Sequence, residues 1–183
     1  MARTLNPDLA PTLLAAAKAL WNERGDAGFD LRTVAARART TTATLYTRFD
    51  SRDDILRALR DECLSEFYER MQETGSIMEL CSAYLDFAER APRDYELMFG
   101  SRWQQRSSQF DLDHMIGRLV VRIDAEVHCA SSATRDTALQ VWLQLHGTAT
   151  VRLSSGDKKP SKLWQQLRAS CLSACETLVR TRR

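Results

Sequence analysis

Between Leu31 and Arg52 the chain carries five arginines, Arg32, Arg37, Arg39, Arg48 and Arg52, against one acid, Asp50. The net charge of all 183 residues is only +2, so positive charge is concentrated here. Hydroxyls at Thr41, Thr42, Thr44, Tyr46 and Thr47 stand around a small residue, Ala43, in the same stretch. Such a set suits contact with duplex DNA. Threonine hydroxyls bond bases or phosphates and their methyls touch thymine, while Ala43 lets a helix approach the groove. The Tyr46 phenol reaches a phosphate or a base edge, and Arg48 and Arg52 are placed to clamp backbone. From the first turn of the preceding helix, Arg32 can make a bidentate guanine contact, worth about 1–3 kcal/mol of discrimination. The expected DNA-contacting set is Arg32, Thr41, Thr42, Ala43, Thr44, Tyr46, Thr47, Arg48 and Arg52.

Helices must hold these groups in place, and nearly the whole chain reads as helix. Glycine and proline are few, and no alternating strand pattern of useful length occurs. Asn6-Pro7-Asp8 announces a first helix carrying Leu9, Leu13, Ala16, Ala17, Leu20 and Trp21, stopped at Gly25. Asp30 caps a second, and a third runs from about Thr41 to Arg48. Trp21, Val34, Leu45 and Phe49 then form the core of a minimal unit. Ser51-Arg52-Asp53-Asp54 is a capping box before Ile55, Leu56, Leu59, Cys63, Phe67 and Met71. It opens a long amphipathic helix, ending near Gly75, that joins the first unit to the next. Further helices are expected over Ile77–Ala91 (stopped by Pro92), Tyr95 to about Gln105, Asp111 to about Cys129, Ala133–Leu153 and Ser161–Val179. The fold is therefore all-α: a three-helix unit over residues 1–50 and a second helical domain over 51–183.

The composition is that of a globular chain, 44% hydrophobic and 27% charged. There is no apolar run of membrane-spanning length and no apolar signal core at the N-terminus, which predicts a cytoplasmic protein without a membrane partner. The cysteines, Cys63, Cys81, Cys129, Cys171 and Cys175, are odd in number and fit buried helix faces. No nucleophile–base set, paired carboxylate or glycine-rich phosphate loop is visible. We therefore expect no enzyme, no catalytic residue, no cofactor and no metal. His114 beside Asp111 and Asp113 fits an exposed helix start. The last two helices carry more apolar residues than one core stripe needs, which favours burial against a partner.

The segment Asp30–Arg52, with Val34-Ala35 followed by Thr44-Leu45-Tyr46-x-x-Phe49, resembles the tetracycline-repressor-like (TetR) transcriptional regulators over roughly residues 8 to 60. Arg39 stands where that family's turn carries glycine, Thr40 replaces its valine, and Ala43 replaces its second glycine. Pro92 through Tyr95-Glu96-Leu97-Met98-Phe99 and Trp142-x-x-x-His146-Gly147 are similar to elements of one TetR subgroup. The resemblance implies a homodimeric repressor on a palindromic double-stranded operator, released by a small-molecule effector of unknown identity. It also implies a pocket among the middle helices, with Tyr84, Phe87, Met98, Phe99, Trp103, Met115, Trp142 and His146 as candidates. A dimer interface on the last two long helices is implied as well, at Leu145, Ala149, Leu153, Trp164, Leu167, Cys171, Leu172 and Cys175. The rival reading is a helical interaction module whose helix–turn–helix no longer binds DNA, with Arg39 as the residue that keeps it open.

Overall fold

The computed structural model describes residues 8–100, 112–127, 132–154 and 161–181. All regular structure among them is helical: α1 (Leu9–Arg24), a short 3₁₀ turn (Asp26–Gly28), α2 (Leu31–Arg37), α3 (Thr42–Leu45) and α4 (Arg52–Gln72). There follow α5 (Ile77–Arg90), α6 (Pro92–Phe99), α7 (Leu112–Val127), α8 (Ser132–Ser154) and α9 (Lys162–Arg180). Asn6, Pro7, Trp103, Gln105, Asp111 and Cys129 lie outside the described residues.

Local chemistry sets most boundaries. Gly25 ends α1 with φ +65°, a conformation that costs little without a Cβ, and its N–H reaches the Trp21 carbonyl at 2.8 Å. Side-chain oxygens of Asp30, Thr41, Ser51, Ser76 and Ser161 each accept the N–H three residues on, capping α2, α3, α4, α5 and α9. Two boundaries correct the sequence expectation. Pro92 does more than stop α5: it occupies the first turn of α6, where a missing N–H costs nothing. The third helix is one turn, Thr42–Leu45, after which the N–H groups of Thr47 and Arg48 bond only three residues back. The Thr47 hydroxyl also takes the Thr44 carbonyl, at 2.6 Å, which competes with the helical ladder.

Leu13, Leu20, Trp21, Val34, Leu45 and Phe49 form the core of the first unit. α4 buries Ile55, Leu56, Leu59, Cys63, Phe67 and Met71 as its spacing predicted. In the second domain α5 is the central element, packed against α4, α6, α7, α8 and α9. The Phe67 ring meets Tyr84, Phe87 and Phe99 edge-on, at centroid distances of 5.5, 5.1 and 6.1 Å.

Polar bonds join α1 to the second domain and α4 to α6 within it. Trp21 Nε1 donates to the Arg93 carbonyl at 2.9 Å, and the Arg93 guanidinium returns a bond to the Asn22 carbonyl. Lys18 pairs with Glu66. Fully buried Arg60 of α4 donates from Nε to the Met98 carbonyl of α6 at 3.1 Å.

Candidate nucleic-acid interface and effector cavity

The Asp30 carboxylate receives the Thr33 hydroxyl and N–H, which hold it below the usual carboxylate range. Leu31, Val34 and Ala35 pack α2 on α1, and Leu45 locks α3 against the same core. The turn between them runs through Arg39 at φ +53°, so the left-handed position that the family fills with glycine is kept here by an L-residue.

Thr42, Ala43 and Tyr46 are exposed, Tyr46 by 52%. Thr41 and Thr44 are joined hydroxyl to hydroxyl at 2.9 Å, and the hydroxyls of Thr41 and Thr47 also serve the backbone of α3. Arg32 is exposed on α2, and Arg48 is half-buried below α3. Arg52 is held within the fold: it donates to the Phe29 carbonyl at 3.2 Å and to the Asp26 carbonyl and carboxylate at 2.8 and 2.7 Å. Its guanidinium also lies 5.4 Å from the Phe29 ring centre. Its charge is spent on joining α4 to the turn before α2, a partnership between residues far apart in sequence. Arg37 likewise pairs with Glu23.

In the second domain three helices bring a polar cluster together. Tyr95 Oη of α6 lies 2.7 Å from His146 Nδ1 of α8, and Tyr84 Oη of α5 lies 3.1 Å from Tyr95 Oη and 3.3 Å from that nitrogen. Burial keeps both phenols protonated and lowers the affinity of His146 for a proton. The imidazole is thus suited to accept a phenol proton at Nδ1. Trp142 stacks on it with centroids 4.8 Å apart.

This layer separates two spaces. One, about 540 Å³, is lined by Tyr95, Glu96, Phe99, His146, Thr150 and Leu153 among others. The other is an apolar slot of about 20 Å³, bounded in part by Phe67, Tyr84, Met115, Trp142 and Leu145. Phe87 and Met98 line neither and belong to the core. Tyr95 and Phe67 escaped the sequence-based selection, although Tyr95 stands inside the segment that resembles the family.

The residues expected at a dimer interface divide. Leu145, Ala149, Trp164, Cys171 and Cys175 are buried within the subunit, because α8 and α9 turn those faces toward α5 and each other. Leu153, Leu167 and Leu172 are half-buried. Although the Cys171 thiol lowers it, contact with Cys81 and burial push the Cys175 thiol up to about 12, so these sulfurs are packing groups. Among the described residues no group of three or more His, Cys, Asp or Glu could hold a metal. Among them also, no helix is long and apolar enough to cross a membrane.

The sequence profile of bacterial regulatory proteins of the tetR family matches residues 13–59, and that of the tetracyclin repressor-like C-terminal domain matches residues 77–167. No curated protein matches the chain. Among solved structures, a protein of unknown function from Rhodococcus sp. RHA1 is 20% identical with a TM-score of 0.70, covering 99% of this chain and 98% of that one. A TetR-like transcriptional regulator from the same organism is 17% identical with a TM-score of 0.64, covering 95% of each chain. A TetR point variant from Acinetobacter baumannii AYE, in complex with minocycline, is 18% identical with a TM-score of 0.64. It covers 94% of this chain and 97% of that one. At these identities the likeness is one of fold. Two successive domain profiles, together covering most of the chain, and a capped helix–turn–helix that presents Thr42 and Tyr46 make this chain a member of the tetR family of transcriptional regulators.

Proposed function

We propose that the chain is a homodimeric repressor that grips a palindromic operator through two copies of α2–α3 and releases it when a small molecule enters the second domain. The exposure of Thr42, Ala43 and Tyr46 on a helix capped at its start and anchored by Leu45 carries this reading. Arg32, Thr41, Thr44, Thr47 and Arg48 complete the contacting set at its edges, and Arg52 contributes by holding α4 to the turn before α2. The reading unit is residues 1–50 and the regulatory unit residues 51–183, working in the cytoplasm. The interaction-module alternative rested on Arg39. That residue takes up the turn conformation while both flanking caps form, which favours a working motif.

Dimerisation is supported by a face without formal charge. The exposed residues of α8 from Gln140 to Ser154 are Gln140, Leu143, Gln144, Gly147, Thr150, Val151 and Ser154. Leu143 and Val151 are 60% and 54% exposed. On α9, exposed Gln165, Gln166, Ala169, Ser170 and Ser173 continue this character. Depletion of charge with some exposed aliphatic surface is the signature of an interface centre. The partner face is therefore offered by these residues, while Leu145, Ala149, Trp164, Cys171 and Cys175 support it from within.

Effector binding in the cavity beside Tyr95 and His146 bears on α6, whose Arg93 and Met98 carbonyls hold α1 and α4. A ligand that favours another position of α6 thus shifts the spacing of the two reading units away from the ~34–36 Å that successive major grooves require. Selection of bound sequences from random duplexes tests the reading, with an inverted repeat as the expected product and binding that weakens steeply with salt. Equal retention of random and selected duplexes overturns it.

A further inference from the structure

On the side of the polar layer opposite the Tyr95–His146 cavity, α4, α5 and α7 enclose a groove of about 580 Å³. We infer that this groove and the slot beneath it form an effector site for an anionic amphiphile, specifically a carboxylate on an aliphatic chain. The inference rests on the proposed regulator reading and adds to it a second ligand site, with the chemical class that site takes.

The head site is a ladder on α7. His114, Arg118 and Arg122 are spaced four apart, so they share one face, and all three line the groove. Arg118 is held in place: its Nε donates to His114 Nε2 at 3.0 Å, and its guanidinium lies 4.6 Å from the Tyr68 ring centre. Arg122 reaches only neutral acceptors at the end of α4, the Gln72 carbonyl at 3.3 Å and Thr74 Oγ1 at 3.5 Å. Among the described residues neither guanidinium is paired with a carboxylate. The one acid among the described residues of the groove lining, Asp113, is tied to Arg135 of α8. Two like charges on one helix face repel, and a bound carboxylate relieves this while accepting N–H groups in the fork geometry that guanidinium favours.

The tail site is continuous with the head site, because Met71, Leu80 and Arg118 line both groove and slot. Beneath them Phe67, Met115 and Leu119 bound a wholly apolar space. At about 20 Å³ it has room for little more than one water. An alkyl chain therefore enters only if α4 moves away from α7. The thioethers of Met71 and Met115 adapt readily to such a guest. Phe67 and Met71 belong to α4, the helix that joins the first unit to the second, so tail insertion displaces that connection itself.

Titration of the full chain with decanoate, decanol, decylamine and butyrate, followed by calorimetry and Trp142 fluorescence against a Trp142→Phe control, tests the site. Decanoate is expected to saturate, with decanol and butyrate weaker by about tenfold or more and decylamine weaker still. Arg118→Gln with Arg122→Gln should weaken decanoate by about tenfold or more while thermal unfolding stays unchanged, both side chains being partly exposed. The ligand series on the unaltered protein holds even if that variant unfolds. Decanol binding as tightly as decanoate, or decanoate binding unaffected by the double substitution, overturns the inference. Operator binding is measured in parallel without ligand. A protein that holds a selected inverted repeat yet ignores decanoate refutes this site alone. Arginine-dependent decanoate binding by a protein indifferent to DNA upholds the site and refutes the regulator reading.

Discussion

Arg39 shows how a single residue carries both strain and information. An L-residue in the left-handed region costs about 1–2 kcal/mol, and here φ is +53°. Replacing it with glycine removes that cost but loosens the unfolded chain. Arg39→Gly should therefore stabilise the protein by about 0.5–1 kcal/mol in urea or thermal unfolding. Unchanged or reduced stability counts against the strain. Tyr46 makes the complementary case. Its side chain is 52% exposed, so Tyr46→Ala should leave folding stability within about 0.5 kcal/mol. Operator affinity should fall by about tenfold in a fluorescence-anisotropy titration, the loss of one good groove contact.

At the scale of elements, the informative place is the meeting of α1, α4 and α6. Asp94, in the first turn of α6, is buried there facing Lys18 of α1 and Cys63, Glu66 and Arg70 of α4. Burial raises its carboxyl above the ordinary value, Lys18 and Arg70 oppose this, and Glu66 adds to it. The folded chain thus binds this proton more tightly than the unfolded chain does. The associated stabilisation is complete below the ordinary carboxylate range and disappears as pH rises through the raised value. Asp94→Asn should accordingly unfold at higher temperature than the parent near neutral pH, with the difference shrinking in acid. A difference that grows on acidification refutes the desolvation argument. Because α6 also carries Tyr95 and Phe99 into the cavity, this junction links the cavity lining to α1 and α4.

At the scale of the whole molecule, the proposed dimer rests on the uncharged exposed stretch of α8 from Gln140 to Ser154. Gly147 sits within it, and a Cβ built there meets nothing within 4 Å beyond its own helix among the described residues. Gly147→Leu should therefore keep or improve subunit folding, since glycine in a helix interior costs about 1 kcal/mol relative to alanine. It should lower the dimer fraction in sedimentation experiments, because the new side chain intrudes on a close helix–helix contact. A variant that dimerises as before places the interface elsewhere.

Helix identity, caps and the reading unit were legible in the sequence because they rest on local chemistry. Asp30, Thr41 and Ser51 cap their helices by bonds three residues long, and the buried stripe of α4 follows from the spacing of Ile55 through Met71. Exposure of Thr42 and Tyr46 follows from Leu45 pointing inward on a single turn. Partnerships across the fold were not legible. The sequence alone makes Arg52 a phosphate clamp, but Asp26 and Phe29 stand beside it; it makes Leu145 and Trp164 interface, but packing among α5, α8 and α9 buries both within the subunit. The Tyr84–Tyr95–His146 cluster and the Arg118–Arg122 groove likewise arise only when helices distant in sequence pack together. Periodicity tells which face of a helix is apolar; it does not tell whether a neighbour in the same subunit or a second subunit covers that face. That choice is made by tertiary packing.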